Sequence, residues 1–276
     1  MSRAPTILVF DSGLGGLTVY REAARLLAGA RFVYAADDAG FPYGRLSEAA
    51  LVARVEEVMA ALIARFSPDV VVIACNTAST LVLPALRARW PDLPFVGTVP
   101  AVKPAAAASQ SGLISVLATP GTVARDYTRA LIDTYASHRK VKLVGAKRLA
   151  GLAEAHMRGE PVKESEIIAE IAPCFVIDHG KRTDHIVLAC THYPLLLDVF
   201  RRVAPWPVTW VDPSEAIARR VVAVLGEQGR IPAGSEEPGA AVFTSGAAPS
   251  AALEKALRQF GLVAVACEPM PLSSGV

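Results

Sequence analysis

The sequence contains no apolar run that approaches the length of a membrane-spanning helix. Its apolar runs, such as residues 70–74 and 186–189, have the length of strands, whereas a spanning helix needs about 20 residues. The N-terminus carries one arginine and a short apolar run that leads directly into a loop motif, which is not the pattern of a signal peptide. We therefore expect a cytoplasmic protein with no membrane partner.

Side chains that bind structural metals are also scarce. The chain has four cysteines and five histidines, and no two cysteines form a CxxC pair. A zinc site is therefore not expected. Because we expect the protein in the cytosol, its cysteines should be free thiols.

Charge of one sign is not concentrated anywhere along the chain. The formal net charge is +2, and the basic residues are dispersed. The arginine pairs at 201–202 and 219–220 fall on predicted helices, where basic residues usually form a solvated face. No nucleic-acid partner is expected.

What the sequence does contain is typical of a folded globular protein. Hydrophobic residues make up 52% of its 276 residues and charged residues 20%, and this length corresponds to about two domains of roughly 150 residues. Short β-branched runs that are apolar on both faces predict parallel strands covered on both sides. These runs lie at residues 7–10, 32–35, 70–74, 95–97, 114–118, 141–145, 185–189, 208–211 and 241–244.

Helical patterns lie between the strand runs. After Ser47, a candidate N-cap, the apolar residues at 51, 55, 59, 62 and 66 lie on one helical stripe. Pro68 is expected to end this helix, because proline cannot continue the hydrogen-bond pattern. Strands that alternate with helices predict an α/β fold with mostly parallel sheets.

The chain also repeats itself. The segment DVVVIACNT at 69–77 resembles DHIVLACTH at 184–192, with an offset of 190 − 75 = 115 between the two cysteines. Upstream, ILVFDSG at 7–13 resembles ISVLATP at 114–120, with an offset of 114 − 7 = 107. Similar offsets predict two similar α/β domains related by a pseudo-twofold, with the active site between them.

The repeat predicts where the two domains begin and end. We expect residues 1–97 and about 210–276 to form the first domain, and residues 98–209 to form the second. The first crossover holds Pro100 and Pro104, which are expected to interrupt regular structure.

Two of the cysteines, Cys75 and Cys190, each close a predicted strand and precede a predicted helix. Ligands of α/β sheets bind beyond the carboxyl ends of the strands, and a helix N-terminus favours a thiolate there. The alternative is that both are inert core residues. Because both occur in the same Ala-Cys-polar-polar context, we favour the functional interpretation. Cys174 and Cys267 have no motif around them and are expected to be packing residues.

Two facing thiols suit racemisation, which needs a base on one side of a carbon atom and an acid on the other. No pyridoxal lysine motif or metal site is visible, so no cofactor is expected. A developing carbanion would then be stabilised by hydrogen bonds and by a closed, dry pocket.

Two polar loops could bind the substrate. Asp11-Ser12-Gly13 and the glycines after it lack the spacing of a dinucleotide or P-loop fingerprint, and small residues here would let a carboxylate approach backbone N–H groups. Pro42-Tyr43-Gly44 is either an ordinary turn or a wall of the site.

These motifs together resemble glutamate racemases, of the aspartate/glutamate racemase superfamily. The resemblance rests on FDSGLGGLTV at 10–19, PYG at 42–44, CNTAS at 75–79, VPAVKP at 99–104 and ACTHYPL at 189–195, which have the order and spacing of the family. The resemblance spans nearly the whole chain. It implies a cofactor-independent enzyme that interconverts L- and D-glutamate for peptidoglycan synthesis, and a homodimer.

The resemblance also implies roles for individual residues. Cys75 and Cys190 would be the acid/base thiols, with Asp11 and His192 assisting the proton transfer beside them. The residues implied in substrate binding are Ser12, Asp37, Pro42, Tyr43, Gly44, Asn76, Thr77, Thr119, Glu154 and Thr191. For Glu154, a solvated position on a helix is an equally supported interpretation.

Two other functions remain open at this point. A related racemase that acts on aspartate or a hydantoin would also carry paired cysteines. A regulatory binding protein on the same scaffold is the second alternative, although both intact cysteines and both polar loops favour an enzyme.

Overall fold

The computed structural model describes residues 3–230 and 238–270, and the chain divides into two compact units. The first unit comprises the chain up to Thr98 and from Ser214 onward, and the second comprises Val99–Pro213. These boundaries lie one and four residues beyond the expected ends at 97 and 209 (98 − 97 = 1 and 213 − 209 = 4). Residues 1–2, 231–237 and 271–276, which the expected first domain includes, lie outside the described residues.

Strands and helices alternate through both units. The strands are β1 Thr6–Asp11, β2 Arg31–Ala36, β3 Val70–Ile73, β4 Phe95–Gly97, β5 Leu113–Ala118, β6 Lys140–Gly145, β7 Ile177–Asp178, β8 Lys181–Arg182, β9 His185–Ala189, β10 Thr209–Val211, β11 Gly239–Phe243 and β12 Leu262–Cys267. The helices are α1 Leu17–Leu26, α2 Glu48–Phe66, α3 Asn76–Arg89, α4 Val102–Ala108, α5 Pro120–Ala124, α6 Asp126–Tyr135, α7 Leu149–Met157, α8 Glu164–Ile171, α9 Leu197–Val203, α10 Ser214–Glu227 and α11 Ala251–Gln259. In the described part of the chain, no helix combines the length and apolar character needed to cross a membrane.

Each unit is built on a parallel sheet. The sheet of the first unit has the order β12-β11-β2-β1-β3-β4, and that of the second has the order β10-β9-β5-β6. Every strand pair in these two sheets is parallel, and among the described residues only the short β7–β8 pair is antiparallel. The predicted α/β class with mostly parallel sheets is confirmed. The order β2-β1-β3-β4 in the first unit has the same form as β6-β5-β9-β10 in the second.

The central strands are buried on both faces. All residues of β1, β3, β5 and β9 are buried, as expected for strands that helices cover on both sides. In β9, Ile186 and Leu188 belong to one apolar cluster, whereas Val187 and Ala189 belong to another. This alternation places the two clusters of the second unit on opposite faces of its sheet.

The predicted helix after Ser47 is present as α2. The Ser47 hydroxyl accepts the N–H of Ala50 at 3.2 Å, and the helix ends at Phe66, before Ser67 in the left-handed region and Pro68.

The expected interruption at Pro104 is wrong. Helix α4 begins at Val102, so Pro104 lies in its first turn. A first-turn N–H has no partner within the helix, so a proline costs no hydrogen bond there.

Two equivalent aspartates anchor the strands that lead to the cysteines. Asp69, before β3, accepts the N–H of Thr6 at 2.7 Å. Asp184, before β9, accepts the N–H groups of Gln110 at 2.7 Å and Ser111 at 2.8 Å. A carboxylate therefore ties the start of the cysteine-bearing strand to the first residue of β1 in the first unit, and to the loop before β5 in the second.

These contacts change the acidity of Asp184. Burial raises the pKa of this carboxyl. The opposing effect is larger, and it comes from hydrogen bonds donated by the Ser111 N–H, His185, the Ser109 hydroxyl and the Gln110 N–H. The net pKa lies well below the ordinary value, so the native state favours the charged form.

We expect Asp184→Asn to lower the free energy of unfolding by about 1–3 kcal/mol near neutral pH, because it removes hydrogen bonds to a charged acceptor. The native pKa of Asp184 is depressed, so its contribution is present above the unfolded value of about 4 and is lost as the pH falls through the native pKa. Urea unfolding between pH 7 and pH 3 should show the gap between wild type and variant narrowing as the pH falls. A difference in the free energy of unfolding that stays constant or widens would contradict the lowered pKa of Asp184.

Candidate active site

In both units, the cysteine-bearing strand lies at a topological switch point. The chain passes from β1 to β2 on one side of β1 and then to β3 on the other, and likewise from β5 to β6 and then to β9. Ligands of open α/β sheets bind outside the carboxyl ends of the strands at such a point. The sheet register pairs Phe10 with Ile73 and Ala118 with Ala189. This pairing brings the residues after β1 and β3 together, and those after β5 and β9.

Cys75 lies at the N-terminus of a long helix. It occupies the N-cap position of α3, with an extended backbone and 6% exposure. The Ser12 hydroxyl oxygen lies 3.8 Å from the Cys75 sulfur. The unpaired N–H groups and partial positive charge of a helix N-terminus favour the thiolate form of a cysteine at this position.

Asp11 fixes the glycine-rich turn after β1. It is fully buried, and its Oδ2 accepts the N–H groups of Gly13 and Gly16, each at 3.1 Å. A Cβ on Gly16 would lie 2.8 Å from the Asp11 Cβ, so this position has room only for glycine. The Tyr34 hydroxyl donates to the Gly13 carbonyl at 2.6 Å and holds the turn from the other side.

Asn76 carries an unusual buried amide. It follows Cys75 directly and is 3% exposed, yet neither atom of its amide group has a hydrogen-bond partner among the described residues. Burying an amide without partners costs free energy, and such groups are rare in folded proteins. A polar ligand beside Cys75 would supply the missing partners. Thr77 is also buried here, at 8% exposure.

The structure brings Asp37 and Tyr43 together, as part of a polar network. Asp37 is fully buried, and its Oδ2 accepts the Tyr43 hydroxyl at 2.6 Å and Arg54 Nε at 2.8 Å. Its Oδ1 accepts Arg54 Nη2 and the Thr244 hydroxyl, each at 2.5 Å. Burial and the Asp37 carboxylate raise the pKa of Tyr43 well above its ordinary value, so Tyr43 is a hydrogen-bond donor.

The rest of the Pro42-Tyr43-Gly44 motif is more open. Pro42 follows a cis peptide bond and is half-buried, whereas Gly44 is exposed. The backbone forms a short 3₁₀ turn over Tyr43–Arg45, and this turn packs against α3.

Cys190 has a different environment from Cys75. Its sulfur lies 3.9 Å from His192 Nδ1, and His192 Nε2 lies 2.8 Å from Glu154 Oε1 on α7. Glu154 is 6% exposed, so the interpretation of this residue as a solvated helix position is wrong. Arg158 Nη2 lies 3.4 Å from the other Glu154 oxygen. The sulfur contacts the imidazole, and the imidazole contacts the carboxylate, which orients it.

Two threonines lie near Cys190 in the fold. Thr119 caps α5 by accepting the Thr122 N–H at 3.3 Å, and Thr191 is 4% exposed. The predicted helix does not begin directly after Cys190. A 3₁₀ turn over Tyr193–Leu196 intervenes before α9, and the proline in this turn occupies one of its first positions.

The other two cysteines differ from this pair. Cys174 is fully buried, and burial raises the pKa of its thiol to about 12, which keeps it protonated. Cys267 is half-buried at the end of β12. Within residues 3–230 and 238–270, no group of three or more His, Cys, Asp or Glu side chains is arranged to hold a metal ion.

Two residues beside Asp37 escape the sequence patterns. Arg54 is 2% exposed on α2, at the position between Leu51 and Val55 on the buried stripe. In the sequence, a charged residue inside an apolar helical stripe is the pattern that could have indicated a buried ion pair here. Thr244 follows β11 and has no local pattern that marks it.

Comparison with known proteins places this fold and site in a family. The family model of Asp/Glu/Hydantoin racemase matches residues 7–221. The glutamate racemase of Brucella canis is 57% identical over 256 residues, which cover 93% of this chain and 92% of that protein. The glutamate racemase of Brucella anthropi is 63% identical over 219 residues, 79% of each chain.

A solved structure gives the same result. The crystal structure of Escherichia coli glutamate racemase, in complex with L-glutamate and the activator UDP-MurNAc-Ala, matches with a TM-score of 0.87 and 37% identity. The match covers 97% of this chain and 99% of that one. The chain therefore belongs to the Asp/Glu/Hydantoin racemase family and, within it, to the glutamate racemases.

Proposed function

We propose that this protein interconverts L- and D-glutamate without a cofactor, by proton transfer at the α-carbon through the thiols of Cys75 and Cys190. The observation that carries the proposal is the position of both cysteines at the carboxyl end of a switch-point strand, each among buried polar residues. The bound L-glutamate of the Escherichia coli relative supports glutamate as the substrate.

In the proposed reaction, one cysteine begins as a thiolate and the other as a thiol. The thiolate removes the α-proton from one face of glutamate and becomes a thiol. The second thiol donates its proton to the opposite face of the carbon and becomes a thiolate. The configuration is inverted, and the reverse reaction uses the same groups in exchanged roles.

The surroundings of each sulfur support this chemistry in different ways. Cys75 has the N-terminus of α3 and the Ser12 hydroxyl to stabilise negative charge. Cys190 has the imidazole of His192, which Glu154 orients. We propose that His192 exchanges a proton with Cys190 and that Asp11 assists Cys75, in addition to its contacts with the glycine turn.

The remaining motif residues would form the binding site for the ammonium and carboxylate groups of glutamate, through side chains or backbone groups. They are Ser12, Asp37, Pro42, Tyr43, Gly44, Asn76, Thr77, Thr119, Thr191 and Glu154. For Asp37, the proposed contribution is indirect, because both of its carboxylate oxygens already accept hydrogen bonds from the protein. Donors fixed before the reaction stabilise a carbanion without reorganisation, which a cofactor-independent racemase needs.

The cellular role follows from the family. D-glutamate made in the cytoplasm would supply peptidoglycan synthesis, and the protein would act as a homodimer. A related activity on aspartate or a hydantoin is the alternative within the family, and incubating the protein with each compound in D₂O distinguishes them. A purely regulatory binding protein would exchange the α-proton of none of them.

The proposed reaction predicts that wild-type protein with L-glutamate in D₂O yields D-glutamate labelled at the α-carbon, without added cofactor. Cys75→Ser and Cys190→Ser should each lower kcat by about 10²–10⁴-fold, because each removes one acid/base group. NMR follows the loss of the α-proton, and chiral chromatography follows the formation of D-glutamate, from which kcat is obtained. Cys267→Ser, which alters a thiol outside the proposed site, is the matched control. Full activity in either of the first two variants would exclude the two-thiol mechanism.

The buried amide of Asn76 predicts opposite effects on stability and on substrate binding. Asn76→Leu replaces an amide that has no partner among the described residues with an apolar group of similar size. The free energy of unfolding should stay the same or rise by about 1 kcal/mol, because no hydrogen bond within the protein is lost. The KM for glutamate should rise by about tenfold or more, which corresponds to about 1.4 kcal/mol. Thermal unfolding without ligand and steady-state kinetics test the two parts, and marked destabilisation with an unchanged KM would contradict the interpretation.

A further inference from the structure

A buried polar cluster lies in the first unit, around the carboxylate of Asp37. The Asp37 cluster consists of Asp37, Gly40, Tyr43, Arg54 and Thr244. Arg54 contacts both carboxylate oxygens, with Nε 2.8 Å from Oδ2 and Nη2 2.5 Å from Oδ1. The Tyr43 and Thr244 hydroxyls donate the remaining hydrogen bonds. All four donors converge on a single carboxylate.

The ion pair at the centre of the cluster is removed from water. Asp37 has no exposed surface and the Arg54 side chain is 2% exposed. Separating two such charges would leave each of them buried without its partner, which is far more costly than separating a surface pair. The two-point contact also fixes the direction of the guanidinium and the carboxylate planes.

The cluster joins α2 and the turn before it to the distant residue that follows β11. Arg54 lies on α2, Tyr43 in the turn before α2, and Thr244 directly after β11. A Cβ on Gly40 would lie 2.7 Å from Arg54 Nε and 2.9 Å from Asp37 Oδ2, so the backbone itself closes over the ion pair. The conformation of the turn is therefore determined by several contacts at once.

The same cluster reaches the surroundings of Cys75. The Asp37 N–H donates to the Asp11 carbonyl at 2.8 Å, which links the cluster to the loop after β1. Tyr43, Cys75 and Ala78 belong to one buried cluster, and the turn at Tyr43–Arg45 packs against α3. The Tyr43 hydroxyl, which Asp37 and Arg54 immobilise, thus fixes a ring in the same buried cluster as Cys75.

We propose that Arg54 is a positioning residue for the racemase reaction, which through Asp37 holds the Tyr43–Gly44 turn in the conformation that binds glutamate beside Cys75. The expected change in the KM for glutamate rests on the proposed function, whereas the expected rigidity of the turn rests on the geometry alone. Arg54 is 2% exposed and its guanidinium is directed to Asp37, so the proposed role is indirect. Its contribution passes through the Tyr43 hydroxyl.

Kinetics of three variants test the proposal. Arg54→Lys keeps the charge but loses the two-point contact, and Tyr43→Phe removes the hydroxyl that receives its effect. Each should raise the KM for glutamate by about tenfold, or 1.4 kcal/mol, with kcat within about threefold of wild type. The double variant should have a KM no higher than the larger single effect, because both changes interrupt one chain of contacts.

A loss of stability alone must be separated from a loss of positioning. Asp184→Asn is the matched control, since it removes a hydrogen-bonded carboxylate of the second unit and should lower stability without changing the Asp37 cluster. All variants are assayed at the same interval below their own unfolding temperature. If Arg54→Lys does not fold, the variant Asp37→Asn/Arg54→Gln replaces it, because it leaves no buried charge without a partner.

Amide hydrogen exchange gives a second readout that needs no activity. In Arg54→Lys, the N–H groups of Arg45 and Leu46, which bond to Pro42 and Tyr43 in the turn, should exchange at least about tenfold faster than in wild type. A KM equal to that of Asp184→Asn, multiplicative KM effects in the double variant, or unchanged exchange in the turn would each overturn the proposal. If wild type fails to exchange the α-proton of glutamate, the proposed function fails, and the amide exchange still decides the role of Arg54.

Discussion

The parallel pairing of β1 with β3 in the first unit, and of β5 with β9 in the second, is the constraint on which the surroundings of Cys75 and of Cys190 each depend. Backbone hydrogen bonds set the register of each pair, so the residues after the paired strands end at the same edge of the sheet. All residues of these four strands are buried, and a shift by one residue would turn every side chain to the other face. Ser12 can lie next to Cys75 only because this register is fixed.

The two thiols have unlike surroundings although they occupy equivalent places. Cys75 begins a helix of 14 residues and has a hydroxyl beside it, whereas Cys190 is followed by a 3₁₀ turn and has an imidazole and a carboxylate nearby. A long helix provides a larger fixed positive potential at its N-terminus than a short turn does. At Cys190, the side-chain neighbour is the His192 imidazole, which contacts the Glu154 carboxylate. The two cysteines thus occupy equivalent positions after their strands but have different neighbours.

Much of this architecture follows from local patterns, because strand burial, the Ser47 cap and the position of both cysteines depend on neighbouring residues alone. The edge strand β12 is not predicted, and Val263 within it is 58% exposed, so it lacks the pattern of a buried strand. The pairing of Asp37 with Arg54 and of His192 with Glu154 could not be predicted from local patterns either. Arg54 lies 17 residues from Asp37 and Glu154 lies 38 residues from His192, and only the packing of α2 and α7 brings these side chains together.

The sequence order of the first unit has a consequence for how the protein is made. The second unit is one uninterrupted stretch, Val99–Pro213, whereas the first resumes at Ser214. During synthesis the second sheet therefore has all its strands before β11 and β12 leave the ribosome. Thr244, the last donor to Asp37, follows its acceptor by 207 residues. Until β11 emerges, β2 is an unpaired edge of the first sheet, and the Asp37 carboxylate after it lacks the Thr244 hydroxyl.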